Sequence, residues 1–280
     1  MKRMKRKTHR LTARSADKHE LYEIAAQRPE VMIGFIEDLA EMMKRREMVT
    51  LREDFCGTAN LASQWVGSAP GREAVGVDWD EKVLEWAKTR GFGDEREAAS
   101  GGRSGPRKWG GVKLVCGDVM EVNAKCDVLA SLNFSHGIYK AREEMLGYLR
   151  HARKCIRAGG MMVMDTFGGP GAMEKCVDER DFGEFVYQWE QAKFNPLTNE
   201  ILCHIHFRFR DGSVKRKAFT YDWRLWSLPE LREMLLDAGF EEVGIWFEGE
   251  EGFIDERDGM NDHAWVGYVV GFSRGAGDGA

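Results

Sequence analysis

A chain of 280 residues with 43% hydrophobic side chains can bury one large core, or one core with an inserted cap. A formal net charge of −5 disfavours a dedicated nucleic-acid partner, and no run of about 18 apolar residues is present to span a membrane. Six cysteines with no C-x-x-C spacing read as reduced thiols of a cytoplasmic protein, with no metal site.

Residues 1–16 are basic. Lys2, Arg3, Lys5, Arg6, Lys7, Arg10 and Arg14 precede the first acid, Asp17. This segment reads as a solvated tail, with a nuclear or organelle address or an RNA-touching arm as the alternatives. Residues 17–47 read as a helical extension in two pieces around Pro29. Val31, Ile33, Phe35, Ile36, Leu39, Met42 and Met43 recur at helical spacing, and proline suits a first helical turn.

From residue 48 to 272 short apolar runs alternate with helical stretches. Met48–Leu51 predicts a strand, then a turn at Gly57 and a helix through Leu61 and Trp65. Ala74–Val77 predicts a strand ending at Asp78, with Asp80 placed to cap the next helix. Val112–Val115 predicts a third strand, ending near Asp118. Val128–Leu132 predicts a fourth, ending at Asn133. A helix follows through Met145, Leu149, Ala152 and Ile156, stopped by Gly159–Gly160, and then a strand from Met161 to Met164 ends at Asp165. This alternation predicts a doubly wound, mostly parallel α/β sheet. Residues 93–111, rich in glycine and charge, predict a flexible insertion.

The period changes after the fifth strand. Residues 184–226 alternate large apolar and polar side chains, with turns at Asn195–Pro196 and Asp211–Gly212. They predict a three-stranded antiparallel insert that caps the site. His204, His206, Arg208 and Arg210 share one of its strand faces and read as a solvated surface. Ser227 and Glu230 form a capping box for the next helix, which stops at Gly239. Strands at Glu242–Phe247 and Ala264–Phe272 follow, joined by an acidic loop, and 273–280 is a tail.

The chemistry gathers at strand ends. The first carries Glu53-Asp54-Phe55-Cys56-Gly57-Thr58-Ala59, the second Asp78-Trp79-Asp80, the third Gly117-Asp118-Val119. Open α/β sheets bind ligands outside the carboxyl ends of their strands, where strand order reverses. Asp78 is placed to accept both hydroxyls of a ribose diol, and Asp118 to accept an adenine amino group. Gly57 lets backbone amides approach a ligand. The turn lacks G-x-G-x-x-G, which argues against a nicotinamide dinucleotide. A cationic group suits the aromatic faces of Phe55, Trp79 and Phe134.

These motifs resemble those of class I S-adenosylmethionine-dependent methyltransferases. The resemblance spans roughly 48–272 and aligns Glu53 with the acidic start of an E/D-x-G-x-G-x-G motif. Phe55 and Ala59 stand where that motif has two of its three glycines. The turn is similar to a bacterial-type subgroup reading D-F-C-G-T-G/A, as are Asn133-Phe134-Ser135, Asp165-Thr166-Phe167-Gly168-Gly169 and the run from Ala218 to Trp226. The resemblance implies S-adenosyl-L-methionine as cofactor, held by Glu53, Phe55, Cys56, Gly57, Thr58, Ala59, Asp78, Trp79, Asp118, Val119, Asn133 and Phe134. It implies a seven-stranded Rossmann-like sheet whose last strand is reversed. The N/D-P-P-Y signature of base amino-methyltransferases is absent.

Methyl transfer to a small-molecule acceptor is therefore the expected activity. His136, Tyr22 and Tyr139 are the candidate catalytic groups, should the acceptor need a base. Trp189, Tyr221, Trp223, Arg224 and Trp226 are the candidate acceptor contacts. An RNA methyltransferase guided by the basic tail and a non-catalytic cofactor-binding protein are the alternatives.

Overall fold

A computed structural model describes residues 11–91, 111–249, 252–255 and 262–275. Most of the basic tail, the 93–111 insertion except Gly111, and the last five residues of the 273–280 tail lie outside the described residues. The chain divides into two compact units, one formed by 1–27 with 173–223 and the other by 28–172 with 224–280.

The larger unit is the doubly wound sheet. Its strands are β1 (Thr50–Asp54), β2 (Glu73–Asp78), β3 (Val112–Cys116), β4 (Cys126–Ser131), β5 (Ile156–Gly168), β10 (Glu242–Gly249), β11 (Gly252–Asp255) and β12 (Trp265–Phe272). They lie in the order β11-β10-β12-β5-β4-β1-β2-β3. The five from β3 to β5 are parallel, and β12 runs antiparallel between β5 and β10. The expected seven-stranded sheet with its reversed last strand is thus present, extended to eight strands by β11 at one edge. Strand order reverses between β1 and β4, so their carboxyl ends form the switch-point crevice.

Helices cover both faces. On one, α2 (Pro29–Met42), α3 (Asn60–Ser68) and α4 (Glu81–Thr89) bury Phe35, Ile36, Leu39, Leu61, Trp65 and Leu84. On the other, α5 (Arg142–Cys155) and α6 (Leu228–Asp237) bury Met145, Leu149, Leu231 and Leu235. Most local signals operate as expected, but α5 ends at Cys155 and Gly159–Gly160, read as its stop, lie inside β5. Pro29 starts α2, Asp80 caps α4 by accepting from the Lys82 amide, and Ser227 with Glu230 closes a capping box on α6.

The smaller unit is α1 (Lys18–Ala26) on an antiparallel sheet of β6 (Cys176–Asp181), β7 (Phe185–Asn195), β8 (Glu200–Phe209) and β9 (Val214–Arg224). α1 buries Leu21 and Ala25 against Phe185, Tyr187, Ile205 and Phe207. The expected single helical extension is therefore split, since α1 and α2 pack into different units. The insert has four strands rather than three. β6 escaped the sequence reading because C-V-D-E-R-D is charged and every residue of it is exposed. β11 likewise lies inside the stretch read as an acidic loop.

β1 runs three residues further than the apolar run suggested, and its added residues are charged. Arg52 and Asp54 share one face, both fully buried. The Arg52 Nε donates to Asp54 Oδ1 at 2.6 Å. Its other nitrogens donate to the carbonyls of Val119 at 2.7 Å and Val122 at 2.5 Å. Tyr148 of α5 donates its hydroxyl to Asp54 Oδ2 at 3.1 Å. One guanidinium thus ties β1 to the loop after β3, and its carboxylate partner ties β1 to α5. Breaking a buried pair strands a charge and costs about 3–5 kcal/mol. Arg52→Leu should lower the urea-derived unfolding free energy by that order, and Arg52→Leu/Asp54→Leu should lose much less than the sum of the two single changes. Additive losses would show that the pair is not coupled.

Candidate active site

The turn after β1 holds three left-handed residues at alternate positions. Phe55 has φ 57°, Gly57 φ 52° and Ala59 φ 56°. These are the three glycine positions of the aligned motif. The backbone keeps a glycine conformation where two side chains have replaced glycine, at a cost of order 1–3 kcal/mol for each non-glycine. Such strain gathers where a ligand needs the backbone shape. A Cβ placed on Gly57 would meet no atom within 4 Å, so the turn presents open backbone there. Beside it, the Thr58 hydroxyl is buried without a hydrogen-bond partner. Burial pushes the Cys56 thiol well above its ordinary value, which removes it as a nucleophile.

Two carboxylates brace this turn. Glu53 accepts the Ala62 amide at 2.8 Å, and burial raises its pKa to about 8 despite that bond. Asp78, at the end of β2, accepts the Gly57 amide at 2.8 Å through one oxygen and the Asp80 amide at 2.9 Å through the other. Burial pushes its pKa up and the amide bonds pull it back. Asp118, beyond β3, is exposed and accepts the Met120 amide at 2.8 Å. Val119 beside it is buried. Trp79 is 83% exposed.

The turn after β4 is built in a similar way. Asn133 and Phe134 are both left-handed, at φ 57° and 60°. Their amides donate to the two oxygens of Asp165, each at 2.8 Å. A 3-10 turn, Ser135–Ile138, follows. It buries His136 to 2% exposure. Burial alone lowers the His136 pKa to about 4, and its Nδ1 has no partner. The imidazole is therefore neutral at pH 7. Tyr139 stacks on Tyr148 at 5.1 Å between ring centroids, and burial holds its hydroxyl far above the usual range.

The remaining candidates divide between the units. Tyr22 belongs to the smaller one, 5.0 Å from Phe219. Trp189, Tyr221 and Trp223 belong there too and form a stacked row, with Tyr221 and Trp223 4.2 Å apart. Arg224 and Trp226 belong to the larger unit and are committed inside it. Arg224 pairs with Glu230 at 3.0 Å, donates to the Lys140 carbonyl at 3.0 Å and lies over the Trp226 ring. Trp226 is buried and donates to the Tyr139 carbonyl at 3.0 Å. Sequence reading missed the bracing parts of Arg52, Asp54 and Asp165. For Arg52 and Asp54 the run Arg52-Glu53-Asp54 after an apolar stretch was the only signal, and it looks like a loop; Asp165 was read only as a strand end.

With that geometry established, the fold is the Rossmann-like fold of S-adenosylmethionine-dependent methyltransferases. One similar structure is an S-adenosylmethionine-dependent methyltransferase from Clostridium acetobutylicum, at TM-score 0.62 and 16% identity, covering 91% of this chain and 97% of the other. Another is the sugar N-methyltransferase KedS8 from Streptoalloteichus, at TM-score 0.60 and 14% identity, covering 94% of each. A third is CalS10, an amino pentose methyltransferase from Micromonospora echinaspora with S-adenosylmethionine bound, at TM-score 0.58 and 12% identity, covering 90% and 95%. No family model and no curated protein sequence matches the chain.

Two outcomes test the site. Gly57→Val should reduce affinity for S-adenosylhomocysteine at least about tenfold, which is about 1.4 kcal/mol, in a variant that still folds. Unchanged calorimetric affinity would remove the turn from the site. For His136, the unfolded chain takes a proton near 6.5 while the folded protein resists it until about 4. Its contribution to stability is present above 6.5 and lost as pH falls towards 4. The unfolding free energy of the parent should therefore fall more steeply over that window than that of His136→Gln. Parallel curves would place the imidazole in water.

Proposed function

We propose that the chain transfers a methyl group from S-adenosylmethionine to a small-molecule acceptor. The observation that carries this reading is the turn after β1, with left-handed backbone at 55, 57 and 59, open space before Gly57, and Asp78 bound to its amide. The groups present fit the cofactor. Asp78 is a carboxylate for the ribose hydroxyls, and Asp118 and Val119 flank the adenine. Glu53 and the unpartnered Thr58 hydroxyl offer polar atoms to the amino-acid part. Phe55, Cys56, Ala59, Trp79, Asn133 and Phe134 complete the proposed lining. When bound, the cofactor supplies a methyl group already activated by positive sulfur, with a neutral sulfide as leaving group.

The residues of the chain then have three tasks: to hold the nucleophile in line, to exclude water, and to receive a proton if the acceptor carries one. His136 is the proposed base. It is neutral at pH 7 because it is buried, and Tyr139 and Tyr22 are too weakly acidic or too firmly packed to be preferred. We assign acceptor recognition to the antiparallel unit, through the row of Trp189, Tyr221 and Trp223. Arg224 and Trp226 brace α6 in this reading. KedS8 and CalS10 act on sugars, the latter on an amino pentose, which supports an amine on a small polar scaffold as the first acceptor class to test. The RNA and non-catalytic readings gain no observation in their favour. Among the described residues no helix is long and apolar enough to cross a membrane.

Tritiated S-adenosylmethionine incubated with a panel of amino sugars, small amines and phenols should give label in one class. In that class Trp189→Ala should raise KM with little change in cofactor affinity, since it removes binding energy for the acceptor alone. Label in RNA and in none of the panel would overturn the small-molecule assignment.

A further inference from the structure

Successive backbone amides in a tight turn can converge on one anion, and Asn133 and Phe134 are the central residues of such a turn, closed by the Ser135 amide on the Leu132 carbonyl at 3.3 Å. Here the turn at Asn133 and Phe134 receives the carboxylate of Asp165 from within β5, three residues before its end, at 2.8 Å to each amide. Neither residue is glycine, so the conformation needs outside support. β5 gives a second hold two residues on, where Phe167 packs on Phe134 at 4.8 Å between ring centroids. The loop held in this way continues directly into the 3-10 turn that buries His136.

We infer that Asp165 is a positioning residue that fixes the loop after β4 and thereby keeps His136 buried and aligned. This rests on the reading of His136 as the base only for its bearing on the reaction; the clamp itself is a property of the free protein. Asp165 makes no contact with His136 that would let it act as a direct partner, so its influence runs through the backbone of Asn133 and Phe134. The groups facing it are these two amides and, across the β5–β12 ladder, Tyr268. Burial raises the Asp165 pKa to about 7 against the pull of the two amides. The charged acceptor is therefore half formed near neutrality, and the clamp tightens as pH rises through that value.

The test uses the free, full-length protein. In Asp165→Asn one acceptor oxygen faces two donors. Amide exchange over 133–138 should quicken at least about tenfold against the parent while the sheet strands keep their protection, and the His136 imidazole, followed by carbon-detected nuclear magnetic resonance, should titrate closer to 6.5 than to 4. Parent-like exchange and parent-like His136 titration in a folded variant would overturn the inference. If the variant does not fold, the parent serves alone. The Asn133 and Phe134 amides should exchange at least about tenfold more slowly than exposed loop amides, and unprotected exchange at both would equally overturn it. Calorimetry of the parent with S-adenosylhomocysteine separates the two claims. Absence of binding with an intact clamp would sink the cofactor reading and leave the clamp standing.

Discussion

The buried pair of Arg52 and Asp54 is the interaction on which the rest of the larger unit depends. β1 lies at the centre of the sheet, between β2 and β4. Its side chains on one face should be apolar, yet two of them are charged and fully buried. The charges are tolerated because they are paired and hydrogen-bonded. Asp54 faces Arg52 and Tyr148, and the two terminal guanidinium nitrogens reach the Val119 and Val122 carbonyls and the Cys155 sulfur. That loop includes Asp118, the group assigned to adenine. A pair that looks purely structural therefore sets the place of one wall of the crevice.

The crevice itself follows one rule. Three strands carry a buried carboxylate near the crevice, and each accepts backbone amides from the turn or helix beside it. Glu53 holds the start of α3, Asp78 holds Gly57, and Asp165 holds Asn133 and Phe134. Burial raises all three pKa values. The cost of keeping these acids out of water and five backbone positions left-handed is repaid if a ligand needs that shape. A cationic cofactor would favour the ionised acids, which ties ligand binding to the same carboxylates that brace the turns.

Much of the architecture was legible because it rests on period and punctuation. Strand–helix alternation predicted the doubly wound sheet, and Pro29, Asp80, Ser227 and Gly239 marked helix ends by local chemistry. What escaped was set by tertiary partners. Arg52 and Asp54 read as loop residues until their mutual burial is seen. β6 is exposed throughout and mostly charged, and it exists because β7 offers it an edge. The split of the N-terminal helices follows from which core each apolar face meets. At the site, Phe55 and Ala59 looked like departures from a glycine motif. The backbone shows that they depart in side chain and not in conformation. His136 was legible as a residue but not as a buried one, since burial comes from the turn that Asp165 holds.

The central claim is that the strained crevice at the ends of β1, β2 and β4 binds S-adenosylmethionine. Titration calorimetry of the purified chain with S-adenosylhomocysteine tests it most directly. The account predicts saturable binding of one equivalent in the micromolar range, about −8 kcal/mol. A folded protein that gives no binding heat at millimolar ligand, at more than one temperature, would contradict it.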